Sequence, residues 1–436
     1  PDRQFPFPGR RRRAAALGVL IWWNADEGGR SMVLAENIVD IPDVSDPKLY
    51  EGDSWGPIFK RMRRESPIHY HPDSAYGPYW SITKYNDIMA VSIDHETYSN
   101  ELGGIQILDQ PEGQETQSFI RMDPPRHTAH RKTVQPIFSP SIMNGMEATI
   151  RQRTGEILDS LPRGEEFNWV DLVSVELTTM LLATLFDYPW EERRNLTYWS
   201  DVAITDYNAP DALVRSREEQ LVELGKMADA FGALWAERAK EPPRQDLISM
   251  MAHSESTRDL TPREFIGTLA LLIVGGNDTT RNTMSGGLLA LHENPEEMRR
   301  LRADPSLVAK LVPETIRYQT PVIHMRRTAT RDAELNGHRI AKGDKVVMWY
   351  VSGNRDEEVV DDPDSFRLDR RKPRQHLAFG WGIHRCVGDR LGELQLQILW
   401  EEVLARGLEI EVTGPPKRVY SNFLRGIKEL PAVIKA

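Results

Sequence analysis

A single cysteine, Cys386, serves all 436 residues of the chain. An intrachain disulfide is therefore excluded, and the count suits a reducing, cytoplasmic setting rather than a disulfide-stapled secreted scaffold. Nor does any apolar run reach the ~18 residues that a transmembrane span needs. Basic blocks are missing beyond Arg10-Arg11-Arg12-Arg13, and the net charge is −10, which argues against nucleic acid as a partner. Internal repeats and low-complexity linkers are also missing. Hydrophobic residues make up 40% of the chain, ample for a core, so one large domain is expected.

The N-terminus stands apart. Arg10 to Arg13 followed by Ala14 to Trp23 has the charged and apolar parts of a secretory signal. A small-residue cleavage site does not follow; Asn24-Ala25-Asp26-Glu27 does. Residues 1–31 are expected to be a leader or expression-derived segment outside the fold, with Met32 opening a domain over 32–436. Contact with a membrane surface is the weaker reading.

A lone cysteine is most often a small buried hydrophobe. Its neighbours here, Phe379-Gly380-Trp381-Gly382-Ile383-His384-Arg385-Cys386-Val387-Gly388, point elsewhere. Glycines let bare backbone approach a metal-bound sulfur and aim N–H groups at it. Asp389 to Leu396 then has helical periodicity, and a helix start beside the sulfur favours the thiolate.

Other stretches carry chemistry or punctuation. Thr261-Pro262-Arg263-Glu264 is a capping box that opens a helix running to about His292, stopped by Asn294-Pro295. Its centre, Gly275-Gly276-Asn277-Asp278-Thr279-Thr280, would end a helix on propensity alone. The apolar pattern resumes at Met284, so the helix is expected to continue through a local distortion. For Thr279 the bland reading is a hydroxyl bonded back to a helix carbonyl. Asp123-Pro124-Pro125 opens a helix bearing His127 and Arg131 on one face, where a solvated basic face is the alternative. Glu314 and Arg317 also share a helix face, though most such pairs are surface salt bridges of little consequence. Short strands are expected at Ile68–Tyr70, Tyr79–Thr83 and Lys345–Tyr350, with a hairpin turn at Asn336-Gly337. Glu101 to Gln117 reads as a long loop, and Ile150 to about Lys240 as mostly helical.

The cysteine stretch fits Phe-Gly-x-Gly-x-His-x-Cys-x-Gly at every fixed position, and so resembles the haem-binding loop of cytochromes P-450, the haem-thiolate monooxygenases. The resemblance implies a mainly α fold with small β-sheets. Haem b (iron protoporphyrin IX) would lie between a long central helix and the Cys386 loop, with Phe379, Gly380 and Gly388 around the thiolate. It assigns His127, Arg131, Arg327 and His384 to the haem propionates, Arg326 being the open alternative to Arg327. Asp278 and Thr279 match the pair that delivers protons during oxygen activation. Glu314, Arg317 and Arg370 match a buried cluster supporting the cysteine loop. The implied activity is hydroxylation of unactivated C–H bonds with O2. Electrons would come from a separate ferredoxin and its NAD(P)H-dependent reductase, docked on the Cys386 side near Lys132 and Arg385.

For substrate, residues 275–282, 324–332 and 347–356 resemble the bacterial alkane-terminal hydroxylases, with related runs in terpene and steroid side-chain hydroxylases. The implied pocket residues Ile105, Ile107, Leu272, Gly275, Val322, Met325, Phe423 and Leu424 give it an apolar lining. No charge is expected deep inside to hold a carboxylate. A peroxide-driven haem enzyme or a non-catalytic haem sensor is the rival from another class, and neither needs the Asp278-Thr279 pair.

Overall fold

The computed structural model describes residues 40–110, 113, 115 and 117–435. The chain divides after Pro42, and everything below concerns the unit Asp43–Ala436. The expected leader, 1–31, lies outside the described residues.

A five-stranded sheet forms one side of the fold. It contains β1 (Ile68–His71), β2 (Tyr79–Ile82), β3 (Tyr98–Ser99), β4 (His324–Ala329) and β5 (Lys345–Trp349), in the order β1-β2-β5-β4-β3. Only the β2–β5 pair is parallel. The expected strand to Tyr350 stops one residue early, because Tyr350 opens a helical turn to Gly353. Asn336-Gly337 makes the expected hairpin, both residues having positive φ as a two-residue turn of this type requires.

The helices begin where capping chemistry places them. Helix α1 (Arg126–Val134) follows Pro125 and carries His127 and Arg131. Ser139 stands at the N-cap position of a helix over Pro140–Ser160, which has proline at its start and no side-chain capping bond. The stretch to 240 is helical as expected, with breaks at Pro189 and around Asn208, except that Glu166–Asn168 forms a short strand. Within it lies α2 (Arg194–Ile204). Helix α3 (Pro262–Glu293) opens on the predicted capping box, in which Thr261 and Glu264 each serve the other's backbone N–H. It runs without interruption through Gly275–Thr280, so the expected distortion does not break it.

Burial overrides propensity in α3. Leu269, Leu272 and Ile273 belong to a core shared with Leu181, Phe186 and Phe231. Met284, Leu288 and Leu291 belong to a second core, with Leu396, Leu399 and Trp400. A helix apolar along both ends and packed on several sides keeps its geometry because tertiary contacts supply its stability. Its glycines let neighbours in. A Cβ on Gly286 would lie 2.3 Å from Gln319, and one on Gly287 would lie 2.9 Å from Thr315, both on α4 (Val308–Gln319).

The expected charge cluster is formed and fully buried. Arg317 donates to both oxygens of Glu314 at 2.8 Å, and Arg370 Nε adds a third bond at 2.7 Å. The two guanidiniums then reach backbone carbonyls. Arg317 meets those of Asn354 (3.0 Å), Pro363 (2.8 Å) and Ser365 (3.1 Å), and Arg370 those of Asp362 (3.0 Å) and Ser365 (2.5 Å). With its remaining donors met by carbonyls, this ion pair escapes the penalty of a bare buried charge. Asn354 passes the support on, accepting the Leu377 N–H at 2.5 Å just ahead of the cysteine loop.

Three buried histidines outside the cysteine loop give stability a pH dependence. Burial holds His71 and His324 down to about 4 and His376 to about 3, against an ordinary 6.5. Below about pH 6.5 the unfolded chain takes up protons that the folded chain refuses, so stability is full above that value and falls as pH drops toward the folded values. Each histidine contributes a slope of up to about 1.4 kcal/mol per pH unit in that window. Denaturant unfolding between about pH 7 and pH 5 should show a falling midpoint, and His71→Gln should flatten the fall.

Candidate active site

The cysteine loop is built on backbone bonds. Cys386 N–H donates to the Phe379 carbonyl and Gly380 N–H to that of Leu377, both at 2.8 Å. At Gly382 φ is +71°, and a Cβ there would lie 2.4 Å from the Ser92 carbonyl oxygen, so only glycine fits. Gly388 then caps α5 (Asp389–Ala405), the helix expected after the cysteine. Cys386 is nonetheless exposed, and the space it meets is a cavity of about 660 Å³ inside the fold. Burial pushes its thiol up to about 11, while the Gly388 N–H, Arg131 and Arg385 pull the other way. Those three groups favour the thiolate expected from sequence, and a metal bound to the sulfur would displace its proton.

Across the cavity stands the middle of α3. Gly275 faces it with no atom within 4 Å of where a Cβ would sit. The Thr279 hydroxyl lines the cavity and donates back to the Gly275 carbonyl at 2.8 Å, the bond of the bland reading. Asp278, next in sequence, lies on another face of the helix and does not line the cavity. Its carboxylate is fully buried between Arg281 and the Ser200 hydroxyl of α2, with Asp201 on the far side of Arg281. Burial raises it to about 6 against the pull of Arg281 and Ser200.

The polar wall beside the cysteine has donors and few acceptors. His127, 2% exposed, and His384 face each other with ring centroids 4.2 Å apart. None of their four ring nitrogens has a partner among the described residues. Burial, with Arg131 for His127 and Arg327 for His384, holds them down to about 4 and about 2. Arg131 and Arg327 line the same cavity, and burial draws both guanidiniums below their ordinary value. Arg327 donates to the Arg326 carbonyl at 2.8 Å. The adjacent Arg326 turns away to Asp109 at 2.5 Å and does not line the cavity. Buried donors in this number, facing one cavity, fit a cofactor carrying acidic groups.

Every residue read from sequence as pocket wall lines this cavity: Ile105, Ile107, Leu272, Gly275, Val322, Met325, Phe423 and Leu424. The turn carrying the last two is held by the Val322–Leu424 bridge and by Ile323 N–H on the Phe423 carbonyl at 2.9 Å. The lining is less apolar than expected. Arg121 and Arg217 also line it, bonded to Gln110 (2.6 Å) and Gln220 (2.5 Å). Burial, with Arg326 and Arg217 close by, draws Arg121 down to about 10. The available signal was its place in Phe119-Ile120-Arg121-Met122, a charge set among apolar residues.

Comparison with known proteins identifies the family. The family model for Cytochrome P450 matches residues 211–429. Linalool 8-monooxygenase of Pseudomonas putida is 36% identical, over 90% of this chain and 98% of that one. The methyl-branched lipid omega-hydroxylase of Mycobacterium bovis is 33% identical, over 89% and 94%. Among solved structures, cytochrome P450-153 from Novosphingobium aromaticivorans superposes with a TM-score of 0.84 at 48% identity, covering 90% of this chain and 99% of that one. The chain belongs to the cytochrome P450 family and is a haem-thiolate monooxygenase. Its cofactor is haem b, with the sole cysteine, Cys386, as the axial ligand. No helix among the described residues is long and apolar enough to cross a membrane.

Thiolate ligation predicts the red-shifted Soret band of the reduced carbon-monoxide complex. Cys386→Ser should abolish that band, and an unchanged spectrum in the variant would remove Cys386 from the iron.

Proposed function

We propose that the protein hydroxylates the terminal methyl of medium-chain alkanes or similarly slim apolar compounds, in the cytoplasm. O2 is the oxidant, and electrons come from a ferredoxin and its NAD(P)H-dependent reductase. The observation that carries this reading is the apolar cavity wall of Ile105, Ile107, Leu272, Met325 and Phe423 facing Cys386 and Thr279. The motif resemblance to alkane-terminal hydroxylases supports it, as does the name of the lipid omega-hydroxylase, which places oxidation at a chain end.

In this reading His127, Arg131, Arg327 and His384 would hold the two haem propionates, which supply further acceptors for those donors. Bound haem contributes activation of O2, the thiolate favouring cleavage of the O–O bond. Thr279 Oγ1 turns from the Gly275 carbonyl into the cavity and holds a water as proton donor. Asp278, raised close to neutral pH, exchanges protons with solvent when it leaves Arg281. Glu314, Arg317 and Arg370 support the loop without entering the chemistry. The electron donor docks on the Cys386 side, where Lys132 is exposed and Arg385 pairs with Asp389.

Terminal attack has to be imposed, since a methyl C–H bond is harder to break than its methylene neighbour. Each tenfold reversal of that preference takes about 1.4 kcal/mol of transition-state positioning. One methylene in a snug apolar pocket is worth roughly 1–3 kcal/mol, so bulky walls such as Phe423 and Met325 suffice. A second reading, oxidation of a terpene or steroid side chain, is favoured by the 36% identity to linalool 8-monooxygenase.

Octane turned over with a competent ferredoxin system tests the choice. Mainly 1-octanol is expected, and mainly subterminal alcohols would sink the terminal assignment in favour of the second reading. Phe423→Ala should shift product toward subterminal alcohols by about tenfold with the haem spectrum intact.

Thr279→Ala should keep haem and substrate binding yet release hydrogen peroxide for a larger share of the NADH consumed. Unchanged coupling would leave Thr279 as a helix residue only.

A further inference from the structure

His324 lies at the start of β4, 0% exposed, and is not among the residues lining the cavity. The bland reading is a satisfied core histidine, and its partners argue for more. Ile107 N–H donates to Nε2 at 3.1 Å, and Nδ1 meets the Asn422 carbonyl at 2.8 Å. Because Nε2 accepts, Nδ1 must carry the proton and donate. The partners come from distant parts of the chain, and each sits on a cavity wall. Ile107 lines one side, and Phe423 and Leu424, beside Asn422, line another. The Phe423 ring also meets the imidazole edge-on at 5.5 Å between centroids, while Trp349 packs against it at 5.1 Å.

Each wall is secured outside this junction as well. The Ile105 carbonyl accepts Arg326 N–H at 2.8 Å, and Asp109 pairs with Arg326 and Lys345 at 2.5 and 2.6 Å. On the other side, Ser421 Oγ accepts the N–H groups of Phe423 and Leu424 at 3.0 and 3.1 Å. Among the described residues, His324 is the side chain that hydrogen-bonds both segments. We infer that His324 is a positioning residue that fixes the separation of the Ile105–Ile107 wall from the Phe423–Leu424 wall, and thereby the chain length and width of substrate that the cavity discriminates. The inference rests on the proposed use of this cavity for substrate. Burial supports it, since a neutral ring is needed for Nε2 to accept and His324 is held down to about 4.

Two substitutions separate the bonds. Asparagine places an amide N–H where Nδ1 stands and can keep the Asn422 bond, whereas glutamine places an oxygen near Nε2 and can keep the Ile107 bond. Hydrogen exchange on the holoenzyme reads each wall. His324→Asn should speed exchange of the Ile107 amide by about tenfold and spare those of Phe423 and Leu424, and His324→Gln should do the reverse. Binding of 1-alkylimidazoles from butyl to dodecyl, followed by the haem spectral shift, reads chain-length discrimination. Both variants should flatten the wild-type profile by about tenfold at its steepest step. Equal loosening of both walls in both variants, or an unchanged profile, would overturn the inference and leave His324 as a core residue. The ladder probes the cavity whatever the natural substrate. Subterminal products from octane with these results intact would therefore refute terminal hydroxylation and not the role of His324.

Discussion

One buried carboxylate, Glu314, bears on most of what makes this molecule work. From Asn354 to Trp381 the chain has no helix or strand among the described residues, yet it must deliver Cys386 to the cavity in a fixed pose. Turns satisfy some of its carbonyls, but those of Asn354, Pro363 and Ser365 look to side chains. Arg317 and Arg370 supply them, and Glu314 holds both guanidiniums in place. Removing the carboxylate would leave two buried cations, a far larger penalty than losing a surface pair. The cluster is thus a scaffold in place of secondary structure.

Around the cavity the balance is tilted the other way. His127, His384, Arg131 and Arg327 present donors beside the Cys386 sulfur, all lining one cavity. In the proposed reading the haem propionates would meet those donors and the iron would take the sulfur. Folding and cofactor binding would be coupled through those contacts, since a group that binds only the folded chain stabilises it.

Much of this was legible in the sequence because it rests on local rules. The capping box at Thr261, the proline starts at Pro140 and Pro262, the Asn336-Gly337 turn and the glycine-rich cysteine loop each announce their own geometry. The family motif added the long-range pairing of Glu314 with Arg370, which no spacing predicts. Other features stayed hidden because they depend on which way a side chain leaves its backbone. Asp278 and Thr279 are neighbours in sequence, yet one faces α2 and the other the cavity. Arg326 and Arg327 part in the same way, as successive residues on a strand must. Arg121 and Arg217 enter the cavity from segments far apart in the chain, so neither could be placed without the tertiary fold.

The glycines at 286 and 287 have a consequence well away from where they sit. Their missing side chains let Gln319 and Thr315 of α4 press against the backbone of α3. That contact works as a keyway, locking the angular setting of a long rod about its own axis. A slip of one residue would roll the rod by roughly 100°. Gly275 and Thr279 would swing away from the thiol, and a bulkier flank of α3 would fill the gap. Which atoms of α3 share the cavity with Cys386 is thus decided by steric locking about three helical turns away.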